Sequence, residues 1–410
     1  MDITNKMSTI YDENLTTVSS VCGSNFSTIS RVESTTTQNH AILNLTLEEL
    51  NQIEVQRRLP PMVYLATLIL FGVPGNLTVL FVYLFKFESS THRTFIVALA
   101  IIDLVGCVVC MPFEIIEMNF QYTFYAVGAC KFFRFNNTFI ALTSIFVIIG
   151  LSVDRYRRVC KPLKTQMTVF TAKIACGIAV LLAILLSWPI LFLLGTRHVK
   201  LPYNVTGYDC STDDKYRSTI YPMVHNAVLF LIFVFAIVLL MVIYILIARK
   251  IFKHIKFRST FKASISSSIS TRKTSSTKLS SQKQEAVVLV NVNNTTSPSQ
   301  KVKPSNDSNM NRSKQRNETN SEDKSKKKIT KIAFAICMAF ILSYLPHLVI
   351  TIWTAVKGGF IAKPGPVVSA VLPIVTRSIF INNIINPFIY SFLDRKFRRI
   401  LLKSICKTHR

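Results

Sequence analysis

One carboxylate lies in the middle of a long apolar segment, where an ionisable group is costly and usually functional. Asp103 is this residue, and Ser144, Asn382 and Asn386 occupy comparable depths in other apolar segments. Carboxylate, hydroxyl and amide oxygens suit a small hard cation such as Na⁺, or an ordered water network. The alternative is a polar cluster that only holds helices together, and the residue types alone leave both interpretations open.

A second constellation closes another apolar segment. In Asp154-Arg155-Tyr156 the arginine follows an aspartate directly. Its guanidinium can therefore either form an ion pair with that aspartate or be released to bind a partner. Two prolines interrupt later apolar segments. Pro346 and Pro387 each remove a helical hydrogen bond, and the sequence therefore predicts a pliable point in each helix.

A third group of side chains is expected near one end of the apolar segments. Charges of both signs with aromatic neighbours suit an amphipathic oligopeptide ligand. Several of these charges could instead only solvate helix ends, and that is the interpretation favoured for Glu117. The candidate ligand-binding residues are Glu114, Arg134, Asn137, His225, His347 and Arg377.

Long apolar helices must position all of these residues. Half of the 410 residues are apolar and only 17% are charged, below the roughly 25% of soluble chains. A helix crosses the hydrocarbon with about 20 apolar residues. The sequence predicts an all-α, seven-transmembrane bundle, with spans at about 60–85, 94–118, 130–153, 174–194, 219–248, 332–356 and 367–392. The seventh is the weakest, because Arg377 and a cluster of asparagines interrupt it.

Orientation follows from the short loops, because Lys and Arg concentrate on the cytoplasmic side. Basic residues crowd the loop after the third span and the segment after the seventh. The amino terminus is thus expected outside and the carboxyl terminus inside, in the plasma membrane. The net charge of +27 then belongs to inner loops, and no nucleic acid partner is expected.

The flanking segments complete the predicted organisation. The sequence predicts a disordered, glycosylated outer tail (1–59), helices one to five (60–248), a disordered inner loop (249–331), helices six and seven (332–392) and a short amphipathic eighth helix (393–410). No apolar segment typical of a cleaved signal peptide opens the tail. Outward-facing Asn-x-Ser/Thr sites are Asn14, Asn25, Asn44 and Asn204. Cys406 ends an apolar stripe opposite basic residues, which suits palmitoylation at the inner leaflet.

The polar anchors occur in a fixed order along the predicted spans. They are Gly75-Asn76, Leu99-Ala100-x-x-Asp103, Asp154-Arg155-Tyr156, Phe340-x-x-x-Tyr344-x-Pro346 and Asn386-Pro387-x-x-Tyr390. With this ordered set the chain resembles a rhodopsin-like (class A) G-protein-coupled receptor over about residues 60–406. Its nearest resemblance is to the neuropeptide-receptor branch.

The resemblance implies a role for each matching residue. Asp103, Ser144, Asn382 and Asn386 match the family's allosteric sodium pocket, and no other cofactor is expected. Phe340, Tyr344 and Pro346 match the aromatic switch below the ligand. Cys130 and Cys210 match the disulfide that ties the second outer loop over the pocket. The residues that match the G-protein coupling machinery are Asp154, Arg155, Tyr156, Leu163, Tyr244 and Tyr390.

Several positions depart from the family pattern. Tyr344 replaces the usual Trp, and Lys326 stands where an acidic residue often pairs with Arg155. This lysine removes a possible interhelical ion pair, so low basal activity in the absence of ligand is not implied by the resemblance. Asn137 replaces the Asp of amine receptors, which removes the counter-ion of a protonated amine.

The predicted partners are an extracellular peptide, a heterotrimeric G protein, arrestin, receptor kinases and the lipid bilayer. A lipid or other non-peptide ligand remains the alternative within the same fold. A transporter would be expected to show internal repeats with broken helices, and the sequence has no such repeat. No metalloprotease, hydrolase or phosphate-loop motif is present, so an enzyme is not expected.

Overall fold

The architecture is a bundle of long apolar helices in a computed structural model that describes residues 45–274, 307–356 and 366–408. Six helices are long and apolar enough to cross a membrane, and we name them spans one to six. They are Leu59–Phe85, Thr91–Asn119, Val127–Cys160, Val169–Leu193, Tyr221–Lys253 and Lys328–Trp353. A shorter apolar helix, Ser378–Leu393, follows them, and we name it the seventh helix.

The seventh helix is irregular where the sequence predicts weakness. A helical segment, Pro366–Thr376, precedes it; the chain turns at Arg377, forms a 3-10 turn at Ser378–Ile381 and continues as Asn382–Leu393. The amide side chains and Pro387 lie in that last segment. A helix of polar and apolar residues that is broken in this way can be stable at membrane depth only where neighbouring helices satisfy its polar groups.

Hydroxyl side chains begin several helices. Ser90 accepts a hydrogen bond from the Arg93 amide at the start of span two, and Thr168 does the same for Thr171 at the start of span four. A short tail helix, Leu47–Arg57, precedes span one and opens with a capping box between Thr46 and Glu49. Each cap satisfies a backbone amide that the helix itself leaves unpaired.

Span two contains one turn of π-helix, Gly106–Cys110, just after Asp103. Such turns often accompany functional sites. Gly106 faces the seventh helix so closely that a Cβ built on it would lie 2.0 Å from Nδ2 of Asn383. A side chain at this position would displace Asn383, and its absence lets span two and the seventh helix meet at the level of the polar cluster.

The core lies where the spans face one another. Fully buried side chains include Leu99, Ile148 and Phe340, from spans two, three and six. Two antiparallel strands, β1 (Leu194–Lys200) and β2 (Thr206–Thr212), follow span four and form a hairpin. The sequence predicts a hairpin lid over residues 198–208, and the structure confirms a hairpin in this loop.

The segments outside the bundle differ in how far the structure describes them. The helix of span five continues to Thr274, and the helix of span six begins at Asp307, so helical backbone extends well into the predicted inner loop. The last helix, Arg395–Thr408, includes Cys406. The predicted glycosylation sites Asn14, Asn25 and Asn44 lie outside the described residues.

Candidate functional site

Spans two and three and the seventh helix bring the predicted polar cluster together. The Asn386 amide donates to Oδ2 of Asp103 at 2.7 Å, and the Asn382 amide donates to Ser144 Oγ at 3.2 Å. The asparagines are four residues apart and therefore share one face of their helix. All four residues are at most 1% exposed, so this polar cluster links three helices away from bulk water.

Several oxygens of the cluster retain free lone pairs. Asp103 Oδ1, Asn382 Oδ1 and Asn386 Oδ1 are buried without a hydrogen-bond donor from the described part of the protein. Carboxylate and amide oxygens in this state are ligands of the kind a hard cation takes. The donor set therefore fits Na⁺, and Asp103 is the group that would balance its charge.

Near the carboxyl end of span three, Asp154 and Arg155 form an ion pair with each other. The Arg155 guanidinium donates to Asp154 Oδ2, and the side chains of both residues are at most 4% exposed. Arg158 Nε also binds Asp154, at 3.1 Å, and its Nη2 donates to Thr91 Oγ1 at 2.8 Å. This carboxylate holds Arg155 along its own helix and connects span three to span two.

The other predicted coupling residues range from buried to completely exposed. Tyr244 and Tyr390 are buried, and Tyr390 packs edge-on against Tyr83 with 5.6 Å between ring centroids. Tyr156 is half-buried beside Arg155. Leu163 is completely exposed in the loop after span three. An apolar side chain presented in this way is available to a partner protein.

A cavity of about 580 Å³ opens at the other end of the bundle, and all six predicted ligand-binding residues line it. The wall also contains Phe230, Phe233 and Phe380, which the sequence analysis does not select. They are apolar residues within apolar segments, so their residue type does not distinguish them from the other apolar residues of the spans. The lining is therefore mixed and presents both charged groups and aromatic rings.

Glu114 is the centre of the charges in the cavity wall. Its Oε1 accepts from Asn137 Nδ2 at 2.8 Å and from Arg134 Nη1 at 3.3 Å, and its Oε2 accepts from Arg377 Nε at 2.9 Å. The single carboxylate thus joins span two to span three and to the turn before the seventh helix. Arg134 also binds Glu117, so the expectation that Glu117 only solvates a helix end is wrong: its side chain is 11% exposed and is paired.

The ring of Tyr344 forms the floor of the cavity and stacks on two phenylalanines. Tyr344 lies in the lining, and its ring stacks on Phe340 below it at 4.4 Å and on Phe233 of span five at 5.2 Å. Pro346 lies inside the helix of span six just above. A ligand that contacts Tyr344 is therefore connected, through the stacked ring of Phe340, to the buried core of the bundle.

The hairpin is fixed above the cavity by a covalent bond. Cys130 and Cys210 form the predicted disulfide, with Cα atoms 5.5 Å apart, and both are buried. Beyond β2 the Asp214 carboxylate turns back to β1, where it accepts from the backbone amide of His198 at 3.0 Å and contacts its ring. These hydrogen bonds hold the pKa of the exposed Asp214 carboxyl below its usual value. The hairpin is thus tied to span three by the disulfide and to the segment after β2 by Asp214.

Comparison with known proteins agrees with this arrangement. The family model described as "7 transmembrane receptor (rhodopsin family)" matches residues 75–390. The cholecystokinin receptor type A of Homo sapiens is 25% identical over 371 residues, covering 87% of this chain and 83% of that receptor. The cholecystokinin receptor of Xenopus laevis is 24% identical over 352 residues, covering 82% and 74%.

A further relative matches over a shorter stretch. The growth hormone secretagogue receptor type 1 of Oryctolagus cuniculus is 31% identical over 136 residues, which cover 32% of this chain and 37% of that receptor. The family match spans most of the chain and includes the polar cluster, the Asp154-Arg155 pair and the cavity. The chain therefore belongs to the rhodopsin family of seven-transmembrane receptors.

Proposed function

We propose that this receptor binds an extracellular peptide in the cavity and activates a heterotrimeric G protein at the opposite end of the bundle. The cavity wall carries the proposal. Two arginines, a glutamate and two histidines stand there beside aromatic rings, under a hairpin lid. A peptide offers both polar and apolar groups to such a wall. The relatives named as cholecystokinin receptors support a peptide ligand.

The remaining features of the family fit the chain as parts of the same proposal. The seventh helix crosses the membrane together with the segment before it, and the last helix lies on the inner leaflet, anchored by a lipid on Cys406. Arrestin and receptor kinases act on the inner loops. Sodium in the polar cluster favours the inactive state. These assignments rest on family membership and on the amphipathic sequence of the last helix.

The orientation follows from the two ends of the bundle. The disulfide and the cavity lie at one end, and disulfides form in oxidising compartments. Asn204 is exposed at the hairpin tip, where its Asn-x-Ser/Thr site is accessible to glycosylation. Arg157, Lys161 and Lys164 lie at the other end, as expected of a cytoplasmic face. The cavity therefore faces outward and the amino terminus is extracellular.

A ligand screen tests this function. Cells that carry the receptor and promiscuous G proteins are exposed to a peptide library and to a lipid library, and nucleotide exchange is measured. We expect peptide hits whose potency falls in Arg377→Ala and stays unchanged in Arg57→Ala, a matched variant of an exposed arginine on the tail helix. Activation by lipids alone would establish the alternative, a class A receptor with a non-peptide ligand.

A further inference from the structure

The inner end of span six lacks the acidic residue that would hold it to Arg155. Lys326 occupies that position in the sequence, and the Arg155 guanidinium binds Asp154 of its own helix. Some other contact must then hold the inner end of span six against the bundle. The structure shows one to the start of the last helix.

Lys328, two residues farther along span six, makes that contact. Its Nζ lies 2.6 Å from Oδ1 of Asp394, at the junction between the seventh helix and the last helix. The Asp394 side chain is 8% exposed and that of Lys328 is 33% exposed. The ion pair is therefore partly shielded from water, which strengthens it relative to a fully exposed pair.

Asp394 is held in place by other elements. Its Oδ1 also accepts from the backbone amides of Lys396 at 2.9 Å and Phe397 at 3.2 Å, which begin the last helix. Its Oδ2 accepts from the Tyr83 hydroxyl of span one at 3.2 Å. The carboxylate is thus a fixed anion between span one and the last helix, and Lys328 binds it without having to order it.

Arg155 can be exposed only if helices near the Lys328–Asp394 ion pair move apart. The Arg155 side chain is 4% exposed, so a partner reaches it only after neighbouring helices separate. Span six packs directly on span three beside it, with Cys337 Sγ 3.2 Å from Ser152 Oγ. A displacement of the inner end of span six away from span three would also draw Lys328 from Asp394.

We propose that the Lys328–Asp394 ion pair is a latch that keeps this receptor closed without ligand, in place of the missing pair to Arg155. The proposal rests on the proposed coupling through Arg155 and adds how that site is restrained. A partly exposed ion pair contributes modestly, so its loss should raise the open fraction about threefold.

Four single variants and one double variant of the full-length receptor test the latch. Lys328→Ala removes the cation, and Lys328→Arg keeps it. Asp394→Asn removes the charge and keeps one oxygen that can accept from the amides at the start of the last helix, while its amide nitrogen can donate to the Tyr83 hydroxyl oxygen. Lys331→Ala is the matched control, because Lys331 is exposed one turn along the same helix. Two readouts are needed. The first is ligand-free nucleotide exchange at equal surface expression, and the second is the ¹⁹F NMR signal, without G protein, of trifluoromethyl-phenylalanine in place of the exposed Phe334 of span six.

We expect Lys328→Ala and Asp394→Asn each to raise ligand-free exchange and the minor ¹⁹F population about threefold. Lys328→Arg and Lys331→Ala should match the wild type, and the Lys328→Ala/Asp394→Asn double variant should not exceed either single variant, because the two groups act as one pair. Unchanged exchange and ¹⁹F populations in Lys328→Ala would overturn the latch, as would an equal rise in Lys331→Ala. If exchange is absent in every variant while the ¹⁹F population still shifts, the latch stands and the proposed coupling fails.

Discussion

At the scale of single residues, this receptor concentrates its chemistry in buried charges whose partners lie on other helices. Asp103 binds Asn386, and Glu114 binds Asn137 and two arginines. Removing one partner of a buried charge usually costs more than the pair contributes, because the other group is left uncompensated. Substitutions at these carboxylates should therefore have large and distinguishable effects.

Asp103→Asn tests the sodium pocket. If Asp103 balances a bound Na⁺, raising Na⁺ should lower agonist affinity in the wild type, and the variant should lose this dependence because an amide carries no charge. Agonist affinity is measured while Na⁺ is exchanged for a large organic cation at constant ionic strength, which removes screening as a cause. Sodium dependence that persists in Asp103→Asn would count against the site.

Glu114→Gln tests the centre of the cavity wall. The amide keeps the shape and loses the charge that Arg134 and Arg377 share, so we expect an unfolding free energy lower by about 3 kcal/mol. This should appear in detergent as a fall of several degrees in the apparent unfolding temperature. Glu54→Gln is the control, because its pair with Arg58 joins neighbouring turns of one helix and contributes less than about 1 kcal/mol. Equal shifts in both variants would contradict the role of Glu114.

At the scale of elements, the contact between span two and the seventh helix was not predictable from the sequence. The apolar pattern predicts both helices, and it contains no sign that Gly106 lies against Asn383. A π turn adds a residue to one helical turn, and this shifts the face that the following residues present. The periodicity of an ordinary α-helix therefore places the residues after Gly106 incorrectly.

Gly106→Ala tests this contact. The new methyl group would lie 2.0 Å from Asn383 Nδ2, so the Asn383 side chain or the helices must shift, at an expected cost of about 1–3 kcal/mol. Gly177→Ala is the matched control on span four, where nothing lies within 4 Å of the added atom and alanine in a helix is neutral or stabilising by up to about 1 kcal/mol. Apparent unfolding temperatures of the purified variants are compared. Similar values for both would mean that the close approach does not exist.

At the scale of the whole molecule, the sequence predicts the bundle and both ends of the receptor, because apolar length, basic loops and ordered motifs are properties of the chain itself. Six predicted spans and the disulfide are confirmed, and the six residues predicted to bind a ligand line one cavity. The partner of each charged side chain was harder to predict from the sequence. Lys328 and Asp394 are distant in the chain, and nothing in the sequence around either residue marks it as part of a pair. Only the fold brings the two side chains together.

The central claim is that a signal from the cavity reaches a G protein through Arg155, which is closed against Asp154. The most direct test measures peptide-driven nucleotide exchange and peptide binding in the same membranes for Arg155→Ala and for Lys173→Ala, an exposed cation on the same side of the bundle. We predict that Arg155→Ala lowers the exchange rate more than about tenfold with little change in peptide affinity, while Lys173→Ala behaves like the wild type. Normal exchange in a surface-expressed Arg155→Ala receptor would contradict the account.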